Sequence, residues 1–164
     1  MITLILGGAR SGKSAVAESL ARQSSGPVTY VATGVVGGDE DFAHRVAEHQ
    51  ARRPAAWNTL EVGAQLAEAL GRVRGTVLVD SLGTWLAATR DFAVDVDALL
   101  GALEARADDA IVVSDEVGLG VHPETEVGRD FRDALGRLNQ AIAARADVVW
   151  LVVAGCVLSV KGEG

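Results

Sequence analysis

Hydrophobic and polar positions along this chain follow two rhythms. Short continuous apolar runs, rich in Val, Ile and Leu, occupy residues 2–6, 28–32, 76–80, 110–114 and 148–154. Runs of that length read as strands buried on both faces. Between them lie segments with helical spacing, at residues 13–23, 40–52, 63–73, 82–89, 96–107 and 127–146. In the first of these, Ala15, Ala17, Leu20 and Ala21 are expected to face the core. Ser24-Ser25-Gly26-Pro27 breaks that helix. Asp39 is placed to cap the second, which must end near Pro54. Residues 57–62 read as a short extended piece, 90–95 as a polar link and 155–164 as a tail.

Strands alternating with helices imply βαβ units and a mostly parallel sheet covered on both faces. The expected class is therefore α/β with three layers. Ligands of such sheets sit at the carboxyl ends of the strands. The loops at 7–14, 33–38, 80–84 and 114–121 should meet along that edge. The strand order is not readable from the pattern.

The loop after the first run carries the chemistry. Gly7-Gly8-Ala9-Arg10-Ser11-Gly12-Lys13-Ser14 matches G-x-x-x-x-G-K-S between a strand and a helix. Glycines let backbone N–H groups turn inward around phosphate oxygens, and the helix N-terminus adds partial positive charge. Lys13 can reach β- and γ-phosphates, and the Ser14 hydroxyl can ligate Mg²⁺. The structural alternative is a Gly-rich turn. Downstream, Asp80 closes the apolar run TVLVD, the usual form of a second Mg²⁺-shell residue. The plainer reading of Asp80 is a strand-end acid capping the next helix.

Composition narrows the partners. A length of 164 residues suits one domain with a sizeable core. The net charge of −7 argues against nucleic acid as a partner. One cysteine excludes an internal disulfide framework and suits a cytoplasmic setting. No apolar run approaches the ~18 residues of a membrane span, and the apolar start lacks the basic region of a signal peptide.

The segment at 40–52 is unusual. Arg45 and His49 are i,i+4 partners, with Arg52 and Arg53 a turn further on. Cations there complement a helix C-terminus, which is the plainer reading. The sharper one is a basic pocket with an imidazole able to attack phosphorus and form a phosphoramidate.

Several blocks occur in a fixed order: the phosphate loop; Tyr30-Val31-Ala32-Thr33; Arg45-Val46-x-x-His49-x-x-x-Arg53-Pro54-x-x-Trp57-x-Thr59-x-Glu61; Asp80-Ser81-Leu82-x-x-Trp85-Leu86; Ser114-Asp115-Glu116-Val117-Gly118-x-Gly120-Val121; and Phe131-Arg132-Asp133-x-x-Gly136-x-x-Asn139-Gln140. Together they closely resemble the bifunctional adenosylcobinamide kinase/adenosylcobinamide-phosphate guanylyltransferase family, over nearly the whole chain. The resemblance implies a RecA-like P-loop fold and a homotrimer. It implies two reactions: phosphorylation of adenosylcobinamide by GTP or ATP, then transfer of GMP from GTP, through a histidine, to adenosylcobinamide phosphate. The family histidine matches His49; His44 and His122 fall outside its block. Gln50, Ala51, Arg52 and Arg53 follow where the family binds nucleotide. Thr33 and Gly34 are implied loop contacts. Glu61 matches a family carboxylate, with an exposed strand-end acid as its plainer reading.

Some positions depart from the family pattern. Asp115 stands where Asn is common, and is more anionic if it faces the site. His122 precedes Pro123, and Gly155 is not followed by proline. Cys156 reads as a small buried hydrophobe, and Trp57, Trp85 and Trp150 as packing residues. Two other functions fit the phosphate loop: a P-loop kinase without guanylyl transfer, and a GTP-binding switch. Against the switch, no N-K-x-D guanine-recognition motif is found.

Overall fold

The computed structural model describes residues 1–34 and 54–162. The expected helix at 40–52 and its Asp39 cap lie outside the described residues, as do His44, Arg45 and His49. The described chain runs β1 (Ile2–Gly7), α1 (Lys13–Ala21), β2 (Val28–Ala32), β3 (Asn58–Glu61), α2 (Leu66–Arg72), β4 (Thr76–Asp80), α3 (Leu82–Ala87), a 3₁₀ turn (Arg90–Phe92), α4 (Val96–Glu104), β5 (Ala110–Asp115), α5 (Glu126–Arg145), β6 (Val148–Val153) and β7 (Cys156–Lys161).

The strands form one sheet in the order β3-β2-β4-β5-β1-β6-β7. All neighbouring pairs are parallel except β6 and β7. Period-2 alternation sends successive side chains to opposite faces, and both faces are covered. One core holds Leu4, Val31, Val77, Val79, Val112 and Val149 against α2 to α5, with Trp85 inside it. The other holds Ile5, Tyr30, Leu78, Ile111, Val113 and Val152 against Ala17 and Ala21 of α1. Trp57 and Trp150 pack at its margin, as packing residues should. Among the described residues, no helix is long and apolar enough to cross a membrane.

Three expectations need correction. Of the expected tail at 155–164, the described part is not one: a two-residue turn at Ala154-Gly155 folds 156–161 back as the antiparallel edge strand β7. Cys156 is therefore exposed rather than buried, because β7 presents both its faces to solvent. On α1, Ala15 is exposed and Glu18 takes the inward position, since the helix starts at Lys13 with its Ala17–Ala21 stripe toward the sheet.

Helix ends are set by local chemistry. Asp95 and Thr125 cap α4 and α5 by accepting from the Ala98 and Gly128 N–H groups at 2.9 and 3.1 Å. Ser81 and Thr84 form a reciprocal capping box at the start of α3. By contrast α1 begins at Gly12, in the left-handed region at φ 93°, with no side-chain cap.

Candidate active site at the carboxyl edge of the sheet

β1, β2, β4 and β5 end at one edge, where the loops after β1, β4 and β5 begin together with Thr33 and Gly34 after β2. The loop from Gly7 to Ser14 is drawn tight by its own backbone. The Ser11 N–H donates to Gly8 O at 3.2 Å, and Lys13 N–H to Ser11 Oγ at 3.3 Å. Gly7 has no room for a side chain: a Cβ would fall 2.4 Å from Ser11 Oγ and 2.8 Å from Val152 O. Arg10 sits in the left-handed region at φ 57°, within the turn of this loop. The β6–β7 turn buttresses the loop, with the Gly155 N–H donating to Ser11 O at 2.8 Å. An uncapped helix start behind such a loop presents N–H groups to an anion.

Lys13 folds over this loop. Its Nζ lies 2.7 Å from Asp115 Oδ1 and donates to Gly8 O at 3.3 Å. Asp115 ends β5, in register with Gly7 of β1. Its Oδ2 stands 3.5 Å from Ser81 Oγ, and its carbonyl accepts from Asn139 Nδ2 of α5 at 3.0 Å. Asp80 ends β4, two strands from β1, so ~10 Å away across the sheet. The buried Tyr30 hydroxyl donates to Asp80 Oδ2 at 2.9 Å. Thr33, fully buried, donates its hydroxyl to Ser81 O at 2.6 Å and meets Thr84 Oγ1 at 2.7 Å. It therefore ties the end of β2 to the end of β4.

The expected site residues thus fall into separate groups. Gly7, Gly8, Ala9, Arg10, Ser11, Gly12, Lys13 and Ser14 form one loop, beside Asp115. Asp80 and Thr33 stand two and three strands from β1, and Gly34 follows Thr33. Glu61 is exposed at the end of the edge strand β3, four strands or ~19 Å from β1. His49, Gln50, Ala51, Arg52 and Arg53 lie outside the described residues. His122 is on an exposed loop, its Nδ1 2.9 Å from Arg132 Nη1.

Mg²⁺ is implied by the loop motif. Among the described residues, no cluster of three or more His, Cys, Asp or Glu side chains could cage a metal. The donor set fits Mg²⁺ nonetheless, because that ion is held by one or two carboxylates together with substrate phosphates and water. Ser14 Oγ and the Asp80 carboxylate are hard oxygen donors of that kind.

Sequence reasoning passed over Tyr30, Asn139 and Gly83 as site residues. Tyr30 and Asn139 sat within blocks already singled out, Y-V-A-T and N-Q, which was the available signal. Gly83 is absent a side chain for a reason: a Cβ there would come 2.2 Å from Asp115 Oδ2.

The family described as cobinamide kinase / cobinamide phosphate guanyltransferase matches residues 3–160. A bifunctional adenosylcobalamin biosynthesis protein, CobP, of Pseudomonas aeruginosa is 44% identical over 99% of this chain and 99% of its own. Its counterpart CobU of Salmonella typhimurium is 37% identical over 98% of this chain and 100% of its own. Among solved structures, a prototypical ATPase of the type III secretion system of pathogenic bacteria superposes with a TM-score of 0.59. It is 13% identical and matches 96% of this chain over 56% of its own. That likeness concerns the fold alone, which is the α/β, RecA-like P-loop architecture.

Proposed function

The chain belongs to the cobinamide kinase / cobinamide phosphate guanyltransferase family, and on that premise we propose that it carries out both reactions on one chain. The first phosphorylates adenosylcobinamide with GTP or ATP. The second transfers GMP from GTP to adenosylcobinamide phosphate, giving adenosyl-GDP-cobinamide and pyrophosphate, a step of cobalamin biosynthesis. The observation that carries the reading is the tight Gly7–Ser14 loop with Lys13 folded over it, at the sheet edge where β4 also ends in Asp80.

In the kinase step, a hydroxyl oxygen of the aminopropanol arm attacks the γ-phosphorus, the bond from that phosphorus to the β–γ bridging oxygen breaks, the nucleoside diphosphate leaves and the hydroxyl proton passes to water. Such transfer needs positioning and charge neutralisation more than covalent help. The amides of residues 7–14 cradle the phosphates, and Lys13 neutralises the β/γ oxygens. Ser14 and Asp80 would hold Mg²⁺. When bound, that ion withdraws charge from the phosphoryl oxygens.

Guanylyl transfer proceeds through His49. Its neutral ring nitrogen attacks the α-phosphorus of GTP, and pyrophosphate leaves. A phosphate oxygen of the acceptor then attacks the phosphoramidate, and the imidazole is released. Splitting one displacement between two bulky anions lowers the repulsion met in each. Gln50, Ala51, Arg52 and Arg53 contact this nucleotide, as does Gly34, while buried Thr33, its hydroxyl engaged by Ser81 and Thr84, holds the end of β2 in place instead of touching the ligand. Glu61, so far from the phosphate loop, serves the nucleotide of this second reaction.

The test is mass spectrometry of the intact protein after incubation with GTP and Mg²⁺. The reading expects a GMP-sized adduct that is lost in His49→Ala. Absence of the adduct in the wild-type protein, with cobinamide phosphorylation retained, would leave a kinase alone. The proposal also carries a cytoplasmic homotrimer. The apolar exposure of Val157, Leu158 and Val160 on the edge strand supports association. Light scattering should give about three times the 17.0 kDa chain mass.

A further inference from the structure

We infer that Asp115 is a positioning residue that holds Lys13 in the nucleotide-free protein, so that phosphate binding is a displacement of one anion by another. The inference rests on the nucleotide-site reading above.

The pair is built rather than incidental. Lys13 Nζ approaches Asp115 Oδ1 to 2.7 Å, with side-chain exposures of only 12% and 29%. Water screens such a pair less than it screens one on the open surface. Asp115 itself has little freedom. It is the last residue of β5, its carbonyl is held by Asn139, and the next residue's N–H donates to Gly7 O at 3.0 Å. Its second oxygen rests near Ser81 Oγ, in a slot that exists only because residue 83 is glycine. The backbone that carries the carboxylate is thus fixed, and the longer lysine is the more movable partner.

Lys13 is also the cation that β- and γ-phosphates require. Phosphate and Asp115 therefore compete for one ammonium. Once Lys13 has moved, the carboxylate remains beside the incoming anion and repels it. Divalent cation on the nucleotide reduces that repulsion, so the device favours metal-loaded nucleotide over free polyphosphate. It also weakens occupation of the loop by inorganic phosphate or pyrophosphate, which brings fewer compensating contacts.

The experiment is calorimetric titration of a non-hydrolysable GTP analogue, with EDTA and with Mg²⁺, into wild-type protein, Asp115→Asn and Lys13→Ala. Asp115→Asn keeps the shape of the slot and removes the charge. It should bind the metal-free analogue about ten-fold more tightly, a change of about 1.4 kcal/mol. The gain should shrink to about three-fold or less with Mg²⁺. In a Lys13→Ala background the share of the gain that comes from competition for the ammonium should vanish and the share that comes from carboxylate–phosphate repulsion should remain, so the gain there should differ from that in wild type. Asp115→Ser repeats the test if the amide variant melts early. Unchanged or weaker binding by both charge-removing variants, beside a wild type that binds, overturns the inference and leaves the nucleotide site standing. A larger gain with Mg²⁺ than without it also overturns it. A wild type that binds no analogue in either buffer overturns the site reading itself.

Discussion

Tyr30 donates its phenolic hydroxyl to Asp80 Oδ2 at 2.9 Å, across the adjacent parallel strands β2 and β4. A tyrosine 3% exposed has its ring in the α1-side core and its hydroxyl at the site. It orients the carboxylate proposed to hold Mg²⁺. Tyr30→Phe should cost on the order of 1 kcal/mol of stability, the usual net worth of such a bond. Its larger effect should be on metal dependence. The Mg²⁺ concentration for half-maximal cobinamide phosphorylation should rise several-fold, with kcat recovering at saturating Mg²⁺. A Mg²⁺ titration of the initial rate checks this, and an unshifted midpoint would show that Tyr30 only packs.

The first two glycines of the phosphate loop should behave oppositely. A Cβ on Gly7 meets the Val152 carbonyl oxygen at 2.8 Å, whereas one on Gly8 meets nothing within 4 Å. Gly7→Ala should therefore destabilise the free protein by about 1–3 kcal/mol, the range for overpacking a tight site. Gly8→Ala should leave the melting temperature within about 1 °C, for want of a clash. Any effect of Gly8→Ala should instead fall on nucleotide affinity, because exposed Gly8 lies where the proposed site brings backbone to phosphate. Paired melting and binding curves on the two variants decide the point.

The parts of this fold with strong local signals were legible from the chain. β2 and β4 run over residues 28–32 and 76–80 as the apolar runs predict, because a strand buried on both faces must be continuously apolar. β7 was not legible. Cys156–Lys161 follows a strand directly and is exposed on both faces, so no burial pattern marks it. Its signal was the turn, Ala154-Gly155, which lacks the Asn or Asp that usually announces a two-residue hairpin. The Lys13–Asp115 pair was invisible for another reason: it joins residues far apart in sequence through the β1–β5 register. Asp115 could be noted as unusual, but nothing local says which residue it faces.

Arg106 offers a test of stability away from the site. Its guanidinium donates to the carbonyls of Leu70 at 2.6 Å and Val73 at 2.9 Å, and also to Gly75. These are groups left without partners where α2 ends and the chain turns into β4. Burial pushes the Arg106 pKa below its usual value, and the nearby Asp108 carboxylate opposes that. Arg106→Leu should cost about 2–4 kcal/mol, since several carbonyls lose their donor at once. For a chain of this size that is a fall in melting temperature of roughly 4–15 °C. Arg106→Lys should recover little, because one ammonium cannot reproduce the planar fork. Nucleotide affinity below the transition should not change in either variant. A melting temperature unmoved by Arg106→Leu would show that water satisfies those carbonyls equally well.

Ala154 is the position where a substitution should improve the protein. It sits at φ 51° and is followed by Gly155 at φ 80°, the two positive values of a type I′ hairpin turn between β6 and β7. Alanine in the left-handed region costs about 1–2 kcal/mol. Asparagine tolerates that region and is the favoured first residue of this turn, without the extra unfolded-state freedom of glycine. Ala154→Asn should stabilise the fold by about 0.5–1 kcal/mol, raising the melting temperature by roughly 1–4 °C. Ala154→Gly should gain less, because its freer unfolded chain offsets the relief of strain. The turn also supplies the Gly155 N–H that seats Ser11 of the phosphate loop. Nucleotide affinity should therefore hold or rise slightly in Ala154→Asn, measured by the same titration used for Asp115. A loss of affinity alongside higher stability would mean that the turn must yield for the loop to close on phosphate.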